Sequence, residues 1–163
     1  MKQSREQNDQ VQISVVVAIS QERAFDFYTR RFDVWWPRDA HIGKAPMRTA
    51  VLEPRVGGRL YERDADGTEC DWGRLLTWEP PQRVKFSWHI DHVQQFDPDP
   101  DHASDVEVRF IPEGPKQTRV ELTHSNFGRH GIGAGSIRES ISKGWPKMLG
   151  EFAAKCAGSA DSF

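Results

Sequence analysis

Residues 136–156 read SIRESISKGWPKMLGEFAAKC, and this stretch decides the fold class. Its apolar residues recur at steps of three and four, which predicts a long helix with one wide apolar face. Ser136 and Glu139 form a predicted capping box at its start. Pro146 removes a backbone donor inside the helix, so we expect a kink near Ser142. The apolar positions are Ile137, Ile141, Trp145, Met148, Leu149, Phe152, Ala153 and Cys156.

The stretch before this helix has the alternation of apolar and polar residues that indicates β-strands. In residues 84–90, VKFSWHI, the apolar residues occupy every second position. Asp66-Gly67 is a strong hairpin signal between two such runs. We predict seven strands, at about residues 11–17, 50–53, 59–64, 68–78, 84–90, 106–110 and 118–122.

A helix is predicted between the first two strands. Ser20 is a suitable N-cap, and we expect the helix to end near Asp33. A short second helix or turn is predicted at residues 34–36, before Pro37. The order of strand, two helices, six strands and long helix is typical of an α+β fold, in which the last helix covers one face of an antiparallel sheet. A sheet that curls around this helix leaves a gap where a ligand could lie. The apolar positions of the first helix are Ala24, Phe25, Tyr28 and Phe32.

Length and charge limit the class of protein. The chain has 163 residues, enough for one domain, which we place at residues 11–157 between mobile ends at 1–10 and 158–163. Lysine plus arginine number 22 and aspartate plus glutamate number 24, so the net charge of -2 argues against a nucleic-acid binder. The longest apolar run, around Val15–Ile19, is too short to span a membrane.

The first residues and the cysteines predict a cytoplasmic location. Residues 1–10, MKQSREQNDQ, lack the apolar core of a secretory signal. Cys70 and Cys156 are too few for a disulfide framework, which is typical of a reducing compartment. Six Trp and nine Phe are many for so polar a chain, so we expect the large rings to serve a specific place in the fold.

Short aromatic and glycine motifs follow one another along most of the chain. They are Ala24-Phe25, Trp35-Trp36-Pro37, Gly57-Gly58-Arg59, Asp66-Gly67, Trp78-Glu79-Pro80-Pro81, Phe86-Ser87-Trp88, Leu122-Thr123-His124 and Gly144-Trp145. This ordered set, from about Val11 to Phe152, resembles the SRPBCC superfamily. Within that superfamily it is similar to the subgroup named after the C-terminal domain of the activator of heat-shock protein 90 ATPase.

The resemblance implies a fold and a range of functions. The fold is the helix-grip of birch-pollen allergens and START domains, in which a curved seven-stranded sheet surrounds the last helix over a cavity. The functions include lipid carriers, polyketide cyclases and co-chaperones. A cavity is therefore the expected place for a functional site.

Large rings and a few polar side chains are the candidates for the cavity wall. Trp88 from the sheet and Trp145 from the last helix would border the gap, and Glu62, Arg74 and His124 would supply polar contacts. Each has an alternative: Trp88 as plain core, Glu62 on the outer face, Arg74 turned into solvent by a bulge, and His124 as a hydrogen-bonded core residue. The full candidate set is Trp35, Trp36, Glu62, Trp72, Arg74, Trp88, His124 and Trp145.

Patterns for metal binding or nucleophilic catalysis are not recognisable. Residues 89–102 contain several His and Asp, but their spacing matches no zinc or calcium motif, so we expect a solvated loop and neither metal nor cofactor. Cys156 lies on the apolar stripe, where a thiol is inert, and Cys70 has no base at a recognisable spacing. Residues 131–135, GIGAG, lack the features of a phosphate loop and predict a hinge into the last helix.

Three functions remain open from the sequence. The first is the binding of a small apolar or amphipathic molecule in the cavity. The second, less favoured, is a cyclase- or hydrolase-type enzyme that uses the same cavity, which a converging carboxylate and histidine would support. The third is a chaperone-regulating interaction protein, which a filled core beside an exposed apolar patch would support. A homodimer is left open, and no nucleic-acid or membrane partner is expected.

Overall fold

The computed structural model describes residues 10–159. The predicted mobile ends lie mostly outside this range. Gln10 is the first residue of a strand, and the last helix continues to Ser159, so both ends of the folded part extend slightly beyond the predicted 11–157. Among the described residues, no helix is long and apolar enough to cross a membrane.

Seven antiparallel strands form one curled sheet, as predicted for a helix-grip fold. Strands β2 to β7 follow one another as neighbours, and β1 pairs with β7, with Val15 opposite Val120. The edges of the sheet are therefore β1 and β2. The strands are β1 Gln10–Val17, β2 Met47–Leu52, β3 Arg59–Asp64, β4 Glu69–Glu79, β5 Arg83–Trp88, β6 Ser104–Gly114 and β7 Gln117–Ser125.

The first helix, α1, spans Gln21–Thr29 and is capped as predicted, because the Ser20 hydroxyl accepts from the Arg23 amide. The expected end near Asp33 is wrong. The chain leaves α1 at Arg30, and a separate helix α2, Phe32–Trp35, follows. The helical spacing of apolar residues continues across this break because the aromatic side chains of both helices pack into the same core.

The long helix α3 spans Ala134–Ser159 and starts two residues before the predicted capping box. Gly131 and Gly133 have positive φ values of 69° and 88°, and the Ile137 amide donates to the Gly133 carbonyl at 3.0 Å. These glycines turn the chain into the helix, so Ser136 already lies inside it. The helix continues through Pro146, as the unbroken apolar stripe predicted.

The core fills one end of the concave side of the sheet. Tyr28 of α1 lies 5.5 Å from Phe152 of α3 and 5.8 Å from Phe110 of β6, measured between ring centroids. Leu149, Phe152 and Cys156 of α3 are fully buried here. Because α3 contacts this aromatic layer from Leu149 onward, the part of α3 before Leu149 is free to border a cavity.

Two short 3₁₀ helices are also present in the described part of the chain. Pro100–His102 interrupts the polar loop before β6, and Phe127–His130 connects β7 to the glycine turn. The second places His130 against β6, where its ring contacts the Ser104 hydroxyl at 2.8 Å. This connection brings a titratable group close to the cavity wall.

Candidate functional site

A cavity of about 240 Å³ lies between the N-terminal half of α3 and the sheet. Four tryptophans from separate parts of the chain line it: Trp36 after α2, Trp72 of β4, Trp88 of β5 and Trp145 of α3. Its other apolar lining residues are Ala40, Ile42, Ile90, Ile137, Ile141 and Met148. The structure therefore brings four of the eight sequence candidates together around one space.

The four indole rings form a continuous wall. The ring centroids of Trp36 and Trp72 lie 5.1 Å apart with a 33° interplanar angle. Trp145 meets Trp36 at 5.9 Å and Trp88 at 5.7 Å, both edge to face. Such geometries are the favourable ones for aromatic pairs, so the wall is held by contacts among its own members.

Hydrogen bonds fix three of these rings. The Nε1 atom of Trp36 donates to the Ala40 carbonyl at 2.9 Å, and that of Trp145 donates to His124 Nδ1 at 3.0 Å. Trp72 Nε1 donates to Glu62 Oε1 at 3.2 Å. Since the indole N–H groups are satisfied by the protein, the rings offer a ligand mainly apolar surface.

His124 lies behind Trp145 and is completely buried. The indole can only donate, so Nδ1 of His124 accepts and its Nε2 carries the proton. Nε2 then donates to Ser104 Oγ at 2.7 Å, and the same hydroxyl is hydrogen-bonded to His130 Nε2 at 2.8 Å. Burial and the nearby His130 lower the pKa of His124 to about 3. His124 is thus a neutral residue that orients Trp145 and does not line the cavity.

Glu62 also faces inward without lining the cavity. Its Oε1 accepts from the Ile42 amide at 2.6 Å and from Trp72, and its Oε2 accepts from the Gly43 amide at 3.2 Å. The carboxylate therefore ties the loop after α2 to the sheet. Asp64 lies beside it, and burial together with Glu62 raises the pKa of Asp64 to about 6.

Arg74 and Trp35, both candidates from the sequence, lie away from the cavity. A register shift in the β3–β4 pairing, between Leu60 and Tyr61, separates Trp72 from Arg74, so the first faces inward and the second outward. Arg74 pairs with Asp71 at 2.9 Å and is 38% exposed. Trp35 belongs to the aromatic core, where its Nε1 donates to the Tyr28 carbonyl at 3.1 Å.

Sequence reasoning missed the polar rim of the cavity. His41 comes from the loop after α2 and His92 from the loop after β5, and neither loop has a periodic pattern. The composition of these segments predicts a loop, but it does not predict which way a side chain in the loop faces. The polar rim residues are Asp39, His41, Asp91, His92, Gln94, Ser136 and Ser140.

The curled sheet, the long last helix and the cavity between them define a helix-grip protein. Residues 18–156 match the family model described as Activator of Hsp90 ATPase homolog 1-like protein. The chain belongs to this family. No curated protein sequence matches it.

Solved structures are similar over nearly the whole chain. Txn09, an anthrahydroquino-γ-pyrone synthase complexed with SUM, is 45% identical, with 90% of this chain and 96% of that chain covered and a TM-score of 0.65. CalC from Micromonospora echinospora, a self-sacrificing resistance protein, is 31% identical, with 91% and 95% covered and a TM-score of 0.67. MLL2253 from Mesorhizobium loti, 19% identical over 90% of this chain and 95% of that chain, with a TM-score of 0.64, shares the fold.

Proposed function

We propose that this protein binds a small, flat, apolar or amphipathic molecule in the tryptophan-lined cavity. The observation that carries the proposal is the convergence of Trp36, Trp72, Trp88 and Trp145 on one space. Rings lose little conformational entropy on binding and stack well on planar molecules. A wall of this kind suits a ligand with fused rings.

The size and rim of the cavity narrow the ligand further. Its volume of about 240 Å³ is slightly below the usual range for ligand sites of about 300–1,000 Å³. The ligand is therefore small, or part of it extends through the mouth. Ser140 and His92 on the rim can bond to oxygen atoms of such a ligand, whereas the wall contacts its apolar faces. An oxygenated polycyclic aromatic molecule fits both properties.

The relatives support the same class of ligand. Txn09 is named for the synthesis of an anthrahydroquino-γ-pyrone, which is a fused-ring compound rich in oxygen. At 45% identity over 90% of this chain, it is similar enough for a shared ligand class to be a reasonable proposal. The chain's own four-tryptophan wall agrees with a flat substrate of this kind.

A second candidate function is catalysis of a ring-closing reaction on the same ligand. The similarity to a synthase favours it, and so do Asp91 and His92, adjacent titratable residues that both line the cavity. Groups of this type can move a proton to or from a bound hydroxyl or carbonyl. Mass spectrometry before and after incubation separates the two functions: an unchanged ligand supports a carrier, and a new product supports an enzyme.

Binding can be tested with an environment-sensitive hydrophobic dye. The folded protein should take up the dye with energy transfer from tryptophan, and Trp88→Ala should weaken binding at least tenfold because one wall of the cavity is lost. Far-ultraviolet circular dichroism should stay nearly unchanged. Trp78→Ala is the matched control, since Trp78 contacts Phe25 at 5.1 Å and lies outside the cavity.

Two results would contradict the proposal. One is the absence of dye uptake by the wild-type protein. The other is an equal loss of binding in Trp78→Ala and Trp88→Ala, which would indicate general destabilisation. A plain core role for Trp88 would instead show as a loss of about 3–5 kcal/mol in the free energy of unfolding with no effect on binding.

A further inference from the structure

A cluster of metal-ligand side chains lies beside the cavity, where β3, β4 and the loop after α2 meet. Glu62 of β3 is directly opposite Cys70 of β4, and Asp64 is two residues further along β3. One donor atom from each of these three residues lies within 4.8 Å of the others. His41 joins them from the loop, with its Nδ1 atom 3.8 Å from Glu62 Oε2.

Two polar atoms in this cluster have no hydrogen-bond partner among the described residues. They are Asp64 Oδ1 and His41 Nδ1, and both atoms are inaccessible to solvent. Asp64 is 2% exposed, so its carboxyl group cannot turn to water. Leaving a buried polar group unpaired costs about 1–3 kcal/mol, and two adjacent carboxylates also repel each other. A bound cation would relieve both costs.

The space around Asp64 is closed by Gly43. A β-carbon at Gly43 would overlap Asp64 Oδ2, so the loop backbone approaches the carboxyl group as closely as a residue without a side chain allows. The Gly43 and Ile42 amides donate to Glu62 at the same point. The loop thus holds Glu62 in place from behind, as groups next to metal ligands usually do.

The donor set indicates which ion would fit. Two carboxylates, an imidazole and a thiol suit Zn²⁺, whereas Mg²⁺ and Ca²⁺ prefer six or more oxygen ligands. Tetrahedral zinc with its usual bond lengths places neighbouring donor atoms about 3.4–3.8 Å apart. Cys70 Sγ lies 4.0 Å from Asp64 Oδ2, and His41 Nδ1 lies 3.8 Å from Glu62 Oε2. Glu62, Asp64 and Cys70 are thus already close to this spacing, whereas the His41 ring is near Glu62 and would rotate further toward Asp64 and Cys70 to complete the coordination.

We propose that His41, Glu62, Asp64 and Cys70 form a zinc site. An ion can reach it from a surface depression lined by Cys70, Ile42 and Phe96, since Cys70 is only partly buried. The bound ion would also fix His41, which lines the ligand cavity. Occupancy of the zinc site would therefore set the position of one rim residue.

Cobalt gives a direct test on untagged protein freed of metal with a chelator. Co²⁺ should bind with one equivalent per chain and produce the near-ultraviolet thiolate-to-cobalt charge-transfer band. Cys70→Ser should lose this band, and Cys156→Ser, which changes a fully buried thiol of α3, should keep it. A wild-type protein without the band, or a band that survives in Cys70→Ser, would overturn the proposal.

The affinity for zinc, measured by competition with a chromophoric chelator, tests whether the Asp64 carboxylate binds the ion. Asp64→Asn keeps the shape of the side chain and should weaken Zn²⁺ binding at least tenfold. His102→Gln is the matched control, because His102 with Asp97 and Asp99 is an exposed group that could collect metal on the surface. Equal affinities for wild type and Asp64→Asn, or a loss confined to His102→Gln, would refute the site.

Discussion

At the residue scale, His124 should make the stability depend on pH. Its pKa is lowered to about 3 in the folded protein, against 6.5 for the ordinary side chain. Below pH 6.5 the unfolded chain therefore binds a proton that the folded chain does not, and stability falls as the pH falls. The loss is about 1.4 kcal/mol per pH unit, or about 2 kcal/mol between pH 6.5 and pH 5.

Urea unfolding of wild type and His124→Gln at pH 7 and pH 5 measures this contribution. The variant is expected to be less stable at pH 7, since it loses contacts to Trp145 and Ser104. Its further loss on acidification should be smaller than that of the wild type by about 2 kcal/mol. The comparison cancels the contribution of His89, whose pKa burial also lowers and which does not contact His124. Parallel pH profiles would show that His124 is not the responsible group.

Single residues also show how far the sequence predicts the site. Strand alternation put Trp88 on the face of Phe86, and helical spacing put Trp145 on the core side of α3; the structure has both at the cavity. Alternation alone put Trp72 and Arg74 on one face, but the register shift in β3–β4 separates them. A bulge of this kind leaves no clear sequence signal, and a loop residue such as His41 has no period to follow.

At the element scale, α3 is needed for the fold. Trp145, Leu149 and Phe152 are at most 1% exposed, and burial of each contributes about 1.5–3 kcal/mol. Their sum is comparable with the whole stability of a domain, about 5–15 kcal/mol. Deletion of residues 136–163 should therefore abolish the cooperative melting transition, as measured by circular dichroism.

The matched control is deletion of residues 1–9, which contain none of the apolar pattern of the first strand. This change should leave the melting temperature nearly unchanged. A chain without α3 that still melts sharply would mean that the sheet is stable alone, contrary to the helix-grip architecture.

The start of the same helix could not be predicted from a motif. Ser136 and Glu139 have the spacing of a capping box, but the glycine turn starts α3 earlier.

At the scale of the whole molecule, both ends of the described chain take part in one structure. The strand β1 pairs with β7. A buried cluster that includes Val11 of β1 and Ile137 of α3 joins β1 to the last helix. One large core cluster contains residues of α1, α2, α3 and the sheet. Unfolding should therefore be two-state, with the same midpoint in tryptophan fluorescence and in far-ultraviolet circular dichroism. An earlier fluorescence transition would reveal a cavity region that melts separately.

The sequence predicted the types and order of the elements better than the pairing of the strands. Seven runs of alternation and one amphipathic helix were enough for the α+β class, and the resemblance supplied the helix-grip fold, which is confirmed. The pairing of β1 with β7 was not predicted, because it joins residues more than a hundred positions apart and no local pattern marks it.

The tryptophan wall and the polar rim of the cavity come from different parts of the fold. Its tryptophan wall is held by the sheet, α3 and the end of α2, whereas rim residues such as Asp39, His41 and His92 stand on loops and are not buried. Substitutions on the rim leave the core intact, so they cost little stability. Members of such a family can then diverge in ligand choice while they keep one folding pattern. For protein engineering, the same separation makes Asp39 and residues 91–94 the positions to randomise first, with His41 kept for the proposed zinc site.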